Sequence, residues 1–425
     1  MMTREERVQW FMEDRFGLFI HWGLYSIPAR GEWVRSFECL SNEDYQPYFE
    51  EFNPTSYNPR EWAKAAKAAG QKYVVLTAKH HDGFCLFDSK LTDYKATNTP
   101  AGRDLIKEYV EAFREEGLKV GLYYSIIDWY HADFPKYGDR QHPMRNNEEY
   151  KDEVTDFSRY VNYFHGQVKE LLSNYGKIDI LWFDFSYDDM TGEKWEATKL
   201  VEMIRSIQPD VLIDNRLGGN IKSAEPEVYA GDFYSPEQII PVGGIVNGNG
   251  EPIPWEACIT LNDHWGYHSK DVNYKSPKQV IRTLVECVSK GGNLLLNVGP
   301  DAKGVIPKQS LAILSEVGEW LEKNGDSIYG CTASSLAKPE WGRYTQKGRF
   351  LYAHVYDRGI GPIYFQGLKG KIKKARFLAD GSELKVEVPW MAEQYSDIEN
   401  GAFITLTGAA LPDESDTVIE LELIG

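Results

Sequence analysis

A chain of 425 residues, 42% hydrophobic and 13% aromatic, has room for one large domain and one small one with ample core. Its formal charge of −17 argues against binding nucleic acid or anionic membrane through a basic surface. No run reaches the roughly 18 apolar residues that a membrane helix needs. Cysteines 39, 85, 258, 287 and 331 are scattered, with no Cys-x-x-Cys pair, which fits neither a disulfide framework nor a zinc site. Cys85 and Cys287 lie among apolar residues and are expected to be buried thiols. The first seven residues carry acids and no apolar segment, so they do not read as a signal peptide, and a cytoplasmic protein is expected. Nothing in the sequence selects an oligomeric state.

In chain order, residues 16–21 read as a strand and 59–69 as a helix stopped at Gly70. Residues 72–78 form the second strand, 104–116 an amphipathic helix ended by Gly117, and 119–125 the third strand. A long helix at 148–174 precedes the strand at 177–185. A helix at 195–207, halted near Pro209, leads to a fifth strand at 210–216. The period then weakens. Short extended pieces at 227–233 and 255–261 stand for strands six and seven, and a helix at 277–289 leads to the eighth at 293–298. A helix at 309–323 closes the series. Strand and helix alternating about eight times predict a distorted (β/α)8 barrel, with a doubly wound open sheet as runner-up that no glycine-rich phosphate loop supports. Beyond about residue 335 the runs become short and alternating, separated by turn signals such as Asp380-Gly381 and Asn400-Gly401. The predicted organisation is a barrel domain over 1–335 and an antiparallel β-sandwich over 336–425.

The polar residues gather at predicted strand ends. The fourth strand climbs through Trp182 and Phe183 to a single carboxylate, Asp184. In a barrel of parallel strands that end faces the active site. Capping of the next turn is the alternative role for such a residue, but its counterparts are as polar. The first strand ends in His21, with Glu32-Trp33 shortly beyond. The second ends in His80-His81, the third in Tyr123-Tyr124-Ser125, the fifth in Asp214-Asn215-Arg216, and Asp232 to Glu237 follow. Imidazoles, carboxylates, an arginine and tryptophans on one rim fit a polyhydroxylated ligand held against aromatic faces, a sugar above all. Hydrolysing a glycosidic bond takes two carboxyl groups, one ionised and one protonated. Arg216 or a protonated histidine is expected to hold the nucleophile's pKa down, and burial near Phe233 and Tyr234 to keep the acid protonated. No metal-binding spacing and no Gly-x-Ser-x-Gly is present, so no metal, cofactor, or serine or cysteine nucleophile is expected.

Together Phe19-Ile20-His21-Trp22-Gly23, His80-His81-Asp82-Gly83-Phe84, Leu181-Trp182-Phe183-Asp184, Asn215-Arg216 and the run from Gly291 to Pro300 resemble glycoside hydrolase family 29, the α-L-fucosidases. The resemblance spans nearly the whole barrel. It implies a retaining exo-hydrolase that releases terminal α-L-fucose from oligosaccharides through a covalent fucosyl-enzyme. Asp184 falls on the family's nucleophile. His21, His80 and His81 fall on positions that bind fucose hydroxyls, and Glu32, Trp33, Trp182 and Trp265 on the pocket wall. Tyr123 or Tyr124 matches a tyrosine near the nucleophile, and Arg216 the arginine after the fifth strand. For the acid/base, Glu237 comes first, Glu256 in Trp255-Glu256 second and Asp232 third. The alternatives are a non-catalytic fucose-binding protein and an α-L-galactosidase-type exo-hydrolase. Residues 243–254 are a candidate for shaping the leaving-group side, and Asp188 and Asp189 are read as solvated.

Overall fold

The computed structural model describes residues 2–390, 394, 400–408 and 410–424. Seven parallel strands curl into one sheet: β1 (Phe16–Ile20), β2 (Tyr73–Lys79), β3 (Lys119–Ser125), β4 (Ile180–Asp184), β5 (Leu212–Ile213), β6 (Glu256–Thr260) and β7 (Asn293–Val298). Their order is β5-β4-β3-β2-β1-β7-β6, so β5 and β6 are the two free edges. Apart from Lys119, every residue of these strands is buried, as expected where apolar runs are covered on both faces.

An irregular segment closes the ring in place of a sixth strand. Asp232 N–H donates to Ile213 O at 2.6 Å, Tyr234 N–H to Pro254 O at 2.9 Å and Cys258 N–H to Pro236 O at 3.1 Å. The expected eighth member is therefore present as single bridges between residues 232–238 and its neighbours. Pro236 has no N–H to offer a ladder, which keeps this stretch from becoming a regular strand. β5 is likewise only two residues long, because the side chain of Asp214 leaves the ladder to accept the Phe183 N–H at 3.0 Å and the chain turns away after it.

Helices α1 (Arg4–Asp14), α2 (Val34–Phe37), α3 (Asn42–Glu51), α4 (Pro59–Ala68), α5 (Leu105–Glu115), α6 (Phe157–Asn174), α7 (Ala197–Ile207), α8 (Pro277–Val288) and α9 (Lys308–Asn324) complete the barrel domain. The sequence reading missed the first three. α1 is closed by a Thr3–Glu6 capping box and seals the end where the strands begin. Its Phe11 ring lies 5.5 Å from Tyr73 and 4.7 Å from Phe233. α6 begins at Phe157, not near 148, because Asp156 caps its first turn by accepting the Ser158 N–H at 3.1 Å.

The second unit comprises β8 (Thr332–Ala333), β9 (Gly342–Lys347), β10 (Phe350–Val355), β11 (Ile363–Phe365), β12 (Ile372–Phe377), β13 (Glu383–Leu384), β14 (Val386–Glu387), β15 (Ala402–Ile404) and β16 (Thr417–Leu423). They form antiparallel sheets β13-β12-β16-β10-β9-β8 and β11-β15-β14. Leu351, Phe365, Ile404 and Ile419 fill the space between them. Arg282 of α8 donates to Ser415 O at 2.8 Å and Tyr356 O at 2.9 Å, and Trp320 Nε1 donates to Asp416 O at 3.0 Å. These bonds fix the sandwich against the barrel's flank, and none of them reaches the strand ends where the polar residues gather.

Candidate active site

At the C-terminal ends of the strands lies a small, narrow pocket lined by polar and aromatic side chains. β4 supplies two of its residues, because Trp182 and Asp184 are two apart and so share a face. Tyr123 pairs in register with Trp182, and their rings stack at 5.7 Å. β2 ends at Lys79 after a register shift, which frees the backbone to turn both His80 and His81 into the pocket, with rings 4.0 Å apart. His21 follows β1 and is oriented by Asn297 of β7, Nδ1 to Oδ1 at 2.7 Å. Glu32 and Trp33 come from the loop before α2, and Glu32 accepts the Gly266 N–H at 2.8 Å, which ties the Trp265 loop to that wall.

Two carboxylates face this space and one guanidinium holds both. Arg216 donates through one terminal nitrogen to Asp184 at 3.0 Å and through the other to Glu237 at 3.2 Å. Its Nε donates to Ser235 Oγ at 3.0 Å, and the fork lies over the Trp182 ring at 4.9 Å. The second Asp184 oxygen accepts the Tyr123 hydroxyl at 2.7 Å, and His81 Nε2 stands 3.8 Å from it. The residues after the two acids, Phe185 and Gln238, have φ of +75° and +56°, a backbone region uncommon for non-glycine residues and concentrated at functional sites.

The electrostatics differ from expectation in two ways. Burial pushes the Asp184 carboxyl up to about 6, and Arg216, which pulls the other way, does not prevail. The histidines give no help: burial takes His21 down to about 3 and holds His80 and His81 well below their usual value. All three are neutral near pH 7, suited to hydrogen-bonding hydroxyls. The second difference is exposure. The Asp184 side chain is 11% exposed, whereas that of Glu237 is 44% exposed. Phe233 does not cover Glu237, since it packs beneath the barrel against Phe11.

A raised Asp184 pKa predicts the acid side of the pH profile. Any reaction that uses the ionised carboxylate gains rate as pH rises through about 6. Arg216→Met removes the group that opposes the shift, and the acid limb should move to higher pH. An unmoved limb in that variant would separate Asp184 from the titration.

Several expected residues lie elsewhere. Tyr124 points away from the pocket, its hydroxyl donating to Gln167 Oε1 at 2.7 Å between β3 and α6. Side chains alternate along a strand, so Tyr123 takes the pocket and Tyr124 cannot. Glu256 is the first residue of β6, not the last, and lies fully buried beneath the pocket, where the Tyr73 hydroxyl donates to it. Burial pushes its carboxyl up to about 8. Asp232 is held by Arg7 at 2.8 Å and Arg205 at 2.7 Å at the α1 end of the barrel. Residues 243–254 line a groove against α1, away from the strand ends. Asn297, Ser125 and Ser235, which orient His21, His81 and Arg216, were given no role from sequence. Asn297 stood inside a quoted motif, so a signal for it existed.

The family model for α-L-fucosidase matches residues 2–326. The chain belongs to the α-L-fucosidase family. It is a glycoside hydrolase. Tissue α-L-fucosidase of Bos taurus is 30% identical over 386 residues, covering 83% of this chain and 76% of that protein. The structure of α-L-fucosidase isoenzyme 1 from Paenibacillus thiaminolyticus is 69% identical with a TM-score of 0.98, over 99% of this chain and 100% of that one. An α-L-fucosidase from Bacteroides thetaiotaomicron, trapped as a covalent intermediate with 2-fluoro-fucosyl fluoride, is 29% identical with a TM-score of 0.83, over 99% and 96%. In this α-L-fucosidase, Asp184, His21, His80, His81, Glu32, Trp33, Tyr123, Trp182, Glu237 and Trp265 line one pocket, with Arg216 joining its two acids.

Proposed function

We propose that Asp184 attacks the anomeric carbon of a terminal α-L-fucoside while Glu237 protonates the departing oxygen and then deprotonates the incoming water. The observation that carries this reading is the shared guanidinium: one arginine holds both acids at neighbouring nitrogens. That gathers both acids around one group at the edge of the pocket, in keeping with a retaining pair, whose carboxyl groups stand about 5 Å apart. Tyr123 and Arg216 fix the two Asp184 oxygens, so one lone pair can be aimed at the sugar. Glu237 sits at the solvent edge, where a leaving group departs and water enters.

His21, His80, His81 and Glu32 are the groups for the fucose hydroxyls, and Phe19 beside Trp265, rings 5.8 Å apart, gives an apolar wall that suits the C6 methyl. Such a wall favours fucose over a hydroxylated analogue by about 1–3 kcal/mol. The substrate class is fucosylated oligosaccharides or glycoconjugates. The five cysteines are all unpaired, which supports a reducing compartment such as the cytoplasm.

Proton NMR during hydrolysis of an aryl α-L-fucoside tests the stereochemistry. α-L-Fucose should form first, with β appearing only by mutarotation. Early β-fucose would mean inversion and would remove the nucleophile's role from Asp184.

A further inference from the structure

Phe37 ends α2 and is left 73% exposed. A lone exposed apolar residue needs no explanation, but this ring is placed. It stacks on Trp33 at 5.9 Å with the planes 23° apart, the spacing of residues four apart in a helical turn. Trp33 in turn meets His81 at 5.0 Å and Phe185 at 5.5 Å inside the pocket. The aromatic wall of the fucose site thus runs on outward into solvent.

The same rim carries charge. Ser36 Oγ donates to Gln141 O at 2.7 Å and Arg145 donates to Ser36 O at 3.2 Å, tying α2 to the segment that contains Arg140. Arg140 faces Asp188 at 3.8 Å, and each side chain is 60% exposed. Asp188 follows the Asp184 strand end by four residues and has a φ of +51°. An exposed aromatic ring on a rim that also bears an acid and a base suits a neutral pyranose, which offers apolar C–H faces and outward hydroxyls.

We propose that Phe37, on a rim that also carries Arg140 and Asp188, forms the subsite for the sugar to which the fucose is attached. The proposal rests on the fucosidase reading and extends it to the leaving group. Because Phe37 stands outside the fucose pocket, it acts only on substrates that have a ring beyond the glycosidic oxygen.

The test compares wild type with Phe37→Ala and Phe37→Trp on two substrates. One is α-L-fucosyl fluoride, whose leaving group is a single atom. The other is whichever of the α1,2-, α1,3-, α1,4- or α1,6-linked fucosyl disaccharides the wild type cleaves fastest. Turnover of the fluoride reports the fucosidase reading by itself, and the ratio between substrates reports the subsite. Phe37→Ala should lower kcat/KM on the disaccharide about tenfold, the size of one aromatic contact, and change it less than about twofold on the fluoride. Phe37→Trp should restore the disaccharide rate. An unchanged disaccharide rate, or an equal loss on both substrates through disturbance of Trp33, would overturn the proposal.

Discussion

Asp184→Ala should lower kcat on an aryl α-L-fucoside by about 10⁴-fold or more, the scale seen when the nucleophile of a covalent mechanism is removed. Two groups that now bind the carboxylate, Arg216 and Tyr123, would remain. They cannot replace it, since a guanidinium and a phenol supply no anion to stabilise the oxocarbenium-like transition state. The loss should not come from unfolding. The folded pKa of Asp184, about 6, lies above its ordinary value, so the charged form is the costly one in the folded state. That group contributes stability at low pH and loses it as pH rises through about 6. At pH 7 the alanine variant should therefore melt no earlier than wild type by circular dichroism. A wild-type rate, or an early melt that accounts for the loss, would contradict the role.

Glu237→Ala should behave differently, because general acid catalysis matters in proportion to how badly the leaving group needs a proton. Positioned acids contribute about 10²–10⁴-fold. On a disaccharide, whose alkoxide leaves poorly, the full loss is expected in kcat/KM. On fucosyl fluoride or a dinitrophenyl fucoside the first step should be nearly unimpaired. The fucosyl-enzyme would then accumulate, as its hydrolysis still needs Glu237 as base, and a pre-steady-state burst should appear. A loss of equal size for good and poor leaving groups would assign Glu237 to binding or to holding Arg216, and would reopen the identity of the acid.

Much of this site was legible in the sequence because buried parallel strands write themselves as apolar runs, and the polar residues gathered just past each run mark the functional rim. His21, His80, His81, Asp184 and Arg216 were found that way. The failures have equally physical causes. Glu256 and Asp184 are both acids beside a tryptophan, but one begins its strand and the other ends it. The ends of a barrel strand are different places, and the extended piece read at 255–261 already put Glu256 at its start; the family resemblance, not its place on the strand, drew it to the site. Asp232 was drawn to the site by adjacency to Glu237, yet the irregular segment crosses the barrel from its floor to its rim within residues 232–237. The first helix was missed because Arg4-Glu5-Glu6-Arg7 looks like a solvated start, whereas Phe11 on its inner face seals the barrel floor. β9, Gly342–Lys347, is too polar to read as a strand, although Tyr344 and Thr345 are buried. Misjudging the sign of the Asp184 shift shows that residue lists do not weigh effects: an arginine contact was visible, the depth of burial was not.

The central claim is that Asp184 and Glu237 divide nucleophile and acid/base between them, and azide tests both halves at once. In Asp184→Ala, azide takes the vacant place on the face opposite the leaving group, so the product should be β-L-fucosyl azide. In Glu237→Ala, azide attacks the fucosyl-enzyme that Asp184 has already formed, so the product should be α-L-fucosyl azide. Opposite anomers from the two variants, each with restored turnover, are the predicted result. The same anomer from both, or rescue of neither while the folded protein still binds fucose, would contradict the account.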